Sequence, residues 1–212
     1  VRVRGLQSLG RPVGTVHGVA RVALNLTGDG LTGLERGGVL VTPDAWRFTD
    51  TADIRITAAH APLGGGIGGE GGAGQSAGTP PERPLLHIGA ASVPARFRPL
   101  GDGLARLALD RPLPLRIGDR ALLRDPGNRR LWGLMVLDPA PPRLRRRGAA
   151  AARAAVLAGQ GERPDLRAEV SRRGLVALPL LRRIGVPAGE AEVRELAASG
   201  QAIVAGEWLM SP

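Results

Sequence analysis

The stretch PLPLRIGDRALLRDPGNRRLWGLMVLD, residues 112–138, decides how this chain is to be read. Its first residues finish an alternating segment, LARLALDRPLPL (104–115). A glycine turn follows, and DRALLRD (119–125) resumes as a short strand. RLWGLMVLDPAPP (130–142) is a further strand, stopped by prolines that cannot donate to a sheet ladder. Upstream, ADIRITAA (52–59) adds one strand and LLHIGAASVPARFRPL (85–100) a pair. Short strands this closely spaced predict a sandwich or barrel over residues 49–142.

The same pattern runs back to the first residue. VRVRGLQ (1–7), GVARVALNL (18–26) and LERGGVLVT (34–42) read as strands of a separate β-block, residues 1–48, joined by Gly, Pro, Asp and Thr turns. A glycine turn before a hydrophobic strand recurs at 34–42 and 115–125, which favours two β-domains with comparable hairpins. Because VRVRGLQ starts in mid-pattern, the first β-domain is expected to be incomplete and the chain a fragment of a longer protein. Between the blocks lies a Gly-rich insertion, residues 64–79 within PLGGGIGGEGGAGQSAGTPPERP (62–84). It contains a formal G-x-G-x-x-G from Gly66 to Gly71. That fingerprint needs a strand before it and a helix after it, and here more Gly, Ser and Pro follow, so the segment reads as a flexible loop.

The C-terminal third changes character. RLRRRGAAAARAAVLAG (143–159) is Ala-rich and predicts a connecting helix over 143–158. RPDLRAEVSRRG (163–174), ALPLLRRIG (177–185) and PAGEAEVRELAASG (187–200) predict three helices, the first two stopped by Gly174 and Gly185. QAIVAGEWLMSP (201–212) predicts two strands around a turn. Three short helices closed by a hairpin is the order of a winged-helix domain, here residues 159–212.

The chain of 212 residues carries a net charge of +10, and all 29 basic residues are Arg. Arg, Ala, Gly and Pro are abundant throughout, a bias that a G- and C-rich genome also produces. Two readings of the charge therefore stay open: a solvated surface, or a polyanion partner whose phosphates suit the guanidinium fork. No apolar run approaches the roughly 18 residues of a membrane span, so no membrane partner is expected. The absence of cysteine removes disulfides and thiolate chemistry. With no secretory leader pattern either, the expected location is cytoplasmic.

Catalytic constellations are lacking. His17, His60 and His87 show no metal-ligand spacing, although His60 and His87 could approach each other across strands. Ser8 and Ser92 sit in no G-x-S-x-G, and Ser76, inside the Gly-rich insertion, is read as lying in no nucleophile elbow. Asp110, Asp119 and Asp125 lie near arginines and read as turn and ion-pair acids. The basic clusters carry more: Arg143, Arg145, Arg146 and Arg147 in RLRRRG, Arg96 and Arg98 around Phe97, and Arg124, Arg129 and Arg130. They either decorate a surface or track a phosphate backbone. With no Tyr, and with Phe48 and Phe97 as the aromatic candidates, a nucleic acid held here is expected to be structured RNA or duplex rather than a stacked single strand. Arg182 and Arg183 of the second short helix could face phosphates as well, or the winged helix could serve as a rigid spacer.

VRVRGLQ, GVARVALNL and LERGGVLV resemble the second domain of EF-Tu-like translational GTPases. Residues 112–138, with GDRALLRD, resemble their third domain. PPRLRRRGAAAARAA followed by a winged-helix element is similar to the layout of the bacterial selenocysteine-specific elongation factors, the SelB type. That resemblance implies a mainly β fold, with two EF-Tu-like β-barrels followed by an α/β winged-helix domain. It implies the tRNA-binding middle portion of a factor that delivers selenocysteyl-tRNA to the ribosome at UGA codons in a GTP-dependent way. It also implies an mRNA hairpin as a further partner, bound by later winged helices. The sequence has no G-x-x-x-x-G-K-[ST], D-x-x-G or N-K-x-D. GTP and Mg²⁺ are therefore expected on a GTPase domain outside this chain, with no cofactor and no enzyme activity within it. By position in its strand, Arg21 matches the family's arginine that stabilises the selenolate. Arg124, Arg143, Arg145, Arg146 and Arg147 are candidate RNA phosphate contacts. A rival reading is a winged-helix nucleic-acid-binding regulator with accessory β-domains.

Overall fold

The computed structural model describes residues 1–60 and 78–212. Most of the insertion, its G-x-G-x-x-G at Gly66–Gly71, Ser76 and the His60 side chain lie outside the described residues. The chain divides into two units, Val1–Gly38 and Val39–Pro212.

In the first unit, β1 (Arg2–Ser8), β2 (Arg11–Val13) and β3 (Val22–Thr27) form an antiparallel sheet in the order β2-β1-β3. A left-handed pair, Leu9 and Gly10, turns β1 into β2. Leu6 is the cross-strand partner of both Val13 and Leu24. No residue of this unit is fully buried. The strand expected at 34–42 does not form. A 3-10 turn occupies Asp29–Gly33, and irregular backbone follows, in which Leu34, Val39 and Leu40 stay exposed and so have no face to bury. The unit also ends at Gly38 rather than at residue 48. Residues 44–47 are tied to the second unit: the Arg47 amide donates to the Arg183 carbonyl, Arg183 Nε donates to the Asp44 carbonyl, and the Arg116 guanidinium lies 3.6 Å over the Trp46 ring.

The second unit is built on a closed barrel of β4 (Phe48–His60), β5 (Leu85–Ile88), β6 (Ala91–Gly101), β7 (Leu104–Pro114), β8 (Arg120–Arg124) and β9 (Leu131–Asp138), in the order β4-β7-β6-β5-β8-β9. Period-2 alternation fills it. In β6, Ala91, Val93, Ala95 and Phe97 point in, while Ser92, Pro94, Arg96 and Arg98 point out. Ile54, Leu86, Leu107, Leu123, Trp132 and Leu134 complete the interior. Closure puts two strands between β4 and β5 on either side, so His60 and His87 are not cross-strand neighbours.

Strand β9 breaks the alternation, because Met135 and Leu137 are buried as well as Leu134 and Val136. Its outer face is covered by α1 (Ala149–Ala158), whose Ala154 and Leu157 pack with Leu100, Leu104, Met135 and Leu137. The helix expected over 143–158 begins only at Ala149. Prolines at 139, 141 and 142 follow β9 with a bend at 139–140, Gly148 sits left-handed at φ 81°, and Arg143–Arg147 is not helical.

The remainder is a second small core: α2 (Leu166–Arg173), β10 (Leu175–Ala177), α3 (Leu178–Arg183), α4 (Glu190–Ala198), β11 (Ile203–Ala205) and β12 (Trp208–Met210), with the sheet ordered β10-β12-β11. Asp165 caps α2 by accepting from the Ala168 amide at 2.7 Å, and Gly174 ends that helix at φ 71°. The succession α-β-α-α-β-β is the winged-helix order, with β10 an element that the sequence pattern does not announce.

Candidate nucleic-acid interface

Which arginines are available to a ligand depends on which ones the fold consumes. The bulge of β4 against β9 sets Asp53 directly across from Asp138, and the β4–β7 register sets Asp53 across from Arg106. Two aspartates facing each other, both without exposed surface, would repel strongly. Arginines resolve this. Arg106 holds Asp53 bidentately, at 2.7 and 3.0 Å. Arg153 of α1 bridges the two carboxylates, 2.7 Å to Asp53 and 2.5 Å to Asp138. From α2, Arg172 reaches Asp138 Oδ2 at 2.6 Å and Arg173 reaches Oδ1 at 2.7 Å. Glu169 pairs with both of these arginines in turn.

Burial alone would raise the Asp138 carboxyl. Arg173, Arg172 and Arg153 more than offset it and hold it at about 2. Burial would lower Arg172, but Asp138 and Glu169 push it above its usual value. Four guanidinium groups and three carboxylates thus lock the barrel, α1 and α2 together. Such a cluster favours one geometry more surely than it adds net stability.

Two further ties join barrel and helices. Ile117, in the turn before β8, packs in the core of the helical module, and its amide donates to the Ile184 carbonyl. Beside it, Gly118 has φ 89°, and a Cβ there would lie 2.9 Å from the Glu162 carbonyl, so the turn requires glycine. Arg55 of β4 donates to the carbonyls of Leu157, Ala158 and Gln160 at the end of α1.

The arginines singled out from sequence lie elsewhere. Arg143, Arg145, Arg146 and Arg147 are exposed on the connector between β9 and α1, and none takes part in an ion pair among the described residues. Arg124 is half-buried at the end of β8, opposite Leu85 and Leu131, and does not join that run. Arg21 is exposed just before β3, and its carbonyl accepts from the Ser8 hydroxyl at 3.5 Å. Arg183 is occupied by Asp44, and Arg182 Nε donates to the Ala188 carbonyl.

The acids also redistribute. Asp119 and Asp125 do turn work, accepting from the Arg116 and Gly127 amides. Burial raises the Asp119 carboxyl, partly countered by that Arg116 amide. The ion-pairing acids at the joint are Asp53, Asp138 and Glu169, none singled out by sequence. Among the described residues no group of three or more His, Cys, Asp or Glu could hold a metal ion.

A model of the selenocysteine-specific elongation factor β-barrel domain matches residues 84–143, from the start of β5 to the first exposed arginine of the connector. The match takes in β5 to β9 of the barrel. The whole fold is similar to the crystal structure of a bacterial selenocysteine-specific elongation factor, EF-Sec, with a TM-score of 0.69. That likeness covers 99% of this chain and 32% of the EF-Sec chain at 19% sequence identity, and it is a likeness of fold. The apo structure of the translation elongation factor SelB from Methanococcus maripaludis aligns over 66% of this chain and 34% of its own, at 19% identity and a TM-score of 0.43. No curated protein matches the sequence. The chain thus spans about a third of the EF-Sec structure that it resembles.

One residue of this region is invisible to a sequence reading that weighs Phe and Tyr as stacking residues. Trp208 of β12 is half exposed. Its signal is that it is the sole tryptophan of the C-terminal hairpin.

Proposed function

We propose that this chain is the RNA-holding part of a selenocysteine-specific elongation factor, which carries selenocysteyl-tRNA to the ribosome in the cytoplasm. The observation that carries this reading is the SelB β-barrel match over residues 84–143. The fold shared with EF-Sec over 99% of the chain supports it. No helix among the described residues is long and apolar enough to cross a membrane. The exposed connector run Arg143–Arg147 supplies guanidinium groups that suit RNA phosphates, and its position beside the barrel suits a ligand laid along that surface.

Arg21 is assigned to the aminoacyl end. A selenol is ionised at neutral pH, and a serine hydroxyl is not. A nearby guanidinium therefore favours the selenocysteyl form over its seryl precursor by about 1–3 kcal/mol, as a charge-assisted contact does. The exposure of Arg21 leaves it free to make that contact. The test is binding of selenocysteyl- and seryl-tRNA to the intact factor, with Arg21→Ala beside the parent. The expected result is a loss of about tenfold or more for selenocysteyl-tRNA alone. Equal losses for both tRNAs would make Arg21 structural, and no preference in the parent would remove the functional reading itself.

A further inference from the structure

The small sheet of the helical module has one buried face and one open face. Val176 and Leu209, cross-strand partners, are fully buried against the helices. Pleating puts their neighbours on the opposite side. Leu175 pairs with Met210 and Ala177 with Trp208, and β11 adds Ile203 and Ala205 in the same register. On that open face Leu175, Ile203 and Trp208 are 54%, 52% and 50% exposed. Three apolar side chains half in water on so small a sheet are a feature that the barrel and the winged-helix core do not account for.

This face forms one wall of a cleft of about 420 Å³. The sheet supplies Leu175, Ala177 and Trp208. Ala140 and Pro142, on the chain leaving the barrel, line it too, together with Arg153, Arg172 and Arg173, which Asp138 holds. Pro142 leads directly into the exposed Arg143–Arg147 run. An accessible indole ring therefore lines a cleft shared with the chain that leads into the cationic connector and with members of a charge cluster that has one more guanidinium than carboxylate. The volume lies at the small-ligand end of the usual pocket range, about 300–1,000 Å³.

We infer that this cleft receives an unpaired nucleotide of a single-stranded RNA segment, with Trp208 stacking on the base and Arg143, Arg145, Arg146 and Arg147 contacting the flanking phosphates. The chemistry selects this occupant. An acidic peptide would use the cations and leave the indole idle, and an apolar partner would use the sheet face and leave four guanidinium groups against it. A single-stranded nucleotide uses both, since every base offers a π-face and every linkage a charge. Duplex RNA keeps its bases stacked inside and cannot reach Trp208. The choice of RNA over DNA rests on the proposed function; the preference for single strands does not.

The experiment titrates the full chain with a labelled single-stranded hexaribonucleotide and with a duplex of the same sequence, in parallel with the tryptophan emission. Trp132 is buried inside the barrel and Trp46 is covered by Arg116, so quenching by RNA reports chiefly on Trp208. The single strand should bind more tightly than the duplex and quench saturably. Trp208→Ala should weaken it by about tenfold or more, and Trp208→Phe, which keeps a ring, should restore most of the loss. Unchanged circular dichroism separates the loss of stacking from misfolding. Equal binding of duplex and single strand, or a Trp208→Ala effect below about twofold, would overturn the inference. So would displacement by a poly-glutamate peptide as effective as by RNA. If Trp208 matters here while the intact factor does not distinguish selenocysteyl- from seryl-tRNA, the proposed function fails and the cleft assignment stands. The opposite pair of results removes the cleft and leaves the function.

Discussion

Arginines of two kinds sit within a few residues of each other in this chain. Arg153, Arg172 and Arg173 are at least 88% buried, each fixed by carboxylates from another element. Arg143, Arg145, Arg146 and Arg147, on the connector just before, are exposed and meet no acid among the described residues. Side-chain chemistry is identical in the two groups; the carboxylates that the barrel gathers make the difference. Asp53 and Asp138 are brought face to face by the β4–β9 register, and the helices that supply arginine to them become part of the barrel's outer layer. A basic residue on the connector has no such acid to answer, and its charge remains available to a partner. Where acids converge, arginine is structural; where they are absent, it is a candidate contact.

Breaking the buried group should have the largest effect. Asp138→Asn removes the charge that three guanidinium groups share and should cost about 3–5 kcal/mol, read from urea unfolding of the chain. A loss under about 1 kcal/mol would mean that the cluster is wetter than its burial indicates. The same carboxylate predicts a pH window. Its folded-state value of about 2 lies below the ordinary 3.8, so its contribution is fully present above pH 4 and is lost as the pH falls from about 4 toward 2. Unfolding midpoints measured through that window should fall for the parent and fall less for Asp138→Asn.

A smaller effect comes from the cap that positions the helix carrying Arg172 and Arg173. Asp165→Ala should cost about 1 kcal/mol, a shift in the midpoint of thermal unfolding of a few degrees. The exposed group should have the smallest effect on stability and a distinct effect on binding. Arg145→Ala with Arg146→Ala should change stability by less than about 0.5 kcal/mol. The slope of log affinity for single-stranded RNA against log salt should become shallower by about 0.7 for each phosphate no longer neutralised. A double variant with an unaltered slope would place the RNA path elsewhere.

The barrel is legible from its sequence because strands buried on one face leave a period of two, as Ala91 to Phe97 and Ala105 to Leu109 do. The glycine stops at 174 and 185 are legible for a similarly local reason, since the left-handed turns there leave little alternative to glycine. Residues 34–42 mislead because alternating apolar residues predict a strand only where a partner covers them, and Leu34 and Val39 have none. The three residues of β10 are too few to show any period. The charge cluster is hidden for a different reason. Asp53 finds Arg106 and Arg153 across 53 and 100 positions of chain, and those meetings exist only once the barrel has closed. In a sequence with 29 arginines, nothing local marks the ones that will be consumed. The exposed run announces itself by density, whereas Trp208 is one aromatic among very few.

The three ties between the barrel and the helices that follow it have a mechanical consequence. Ile117 in the helical core, Arg55 at the end of α1 and the Asp53–Asp138 cluster hold the joint at separate points, so turning about any one of them is resisted by the other two. Unit two therefore behaves as a strut rather than a hinged pair. A load applied at the β11–β12 hairpin would reach the barrel wall at β4 and β9 as displacement, with little of it absorbed in bending on the way.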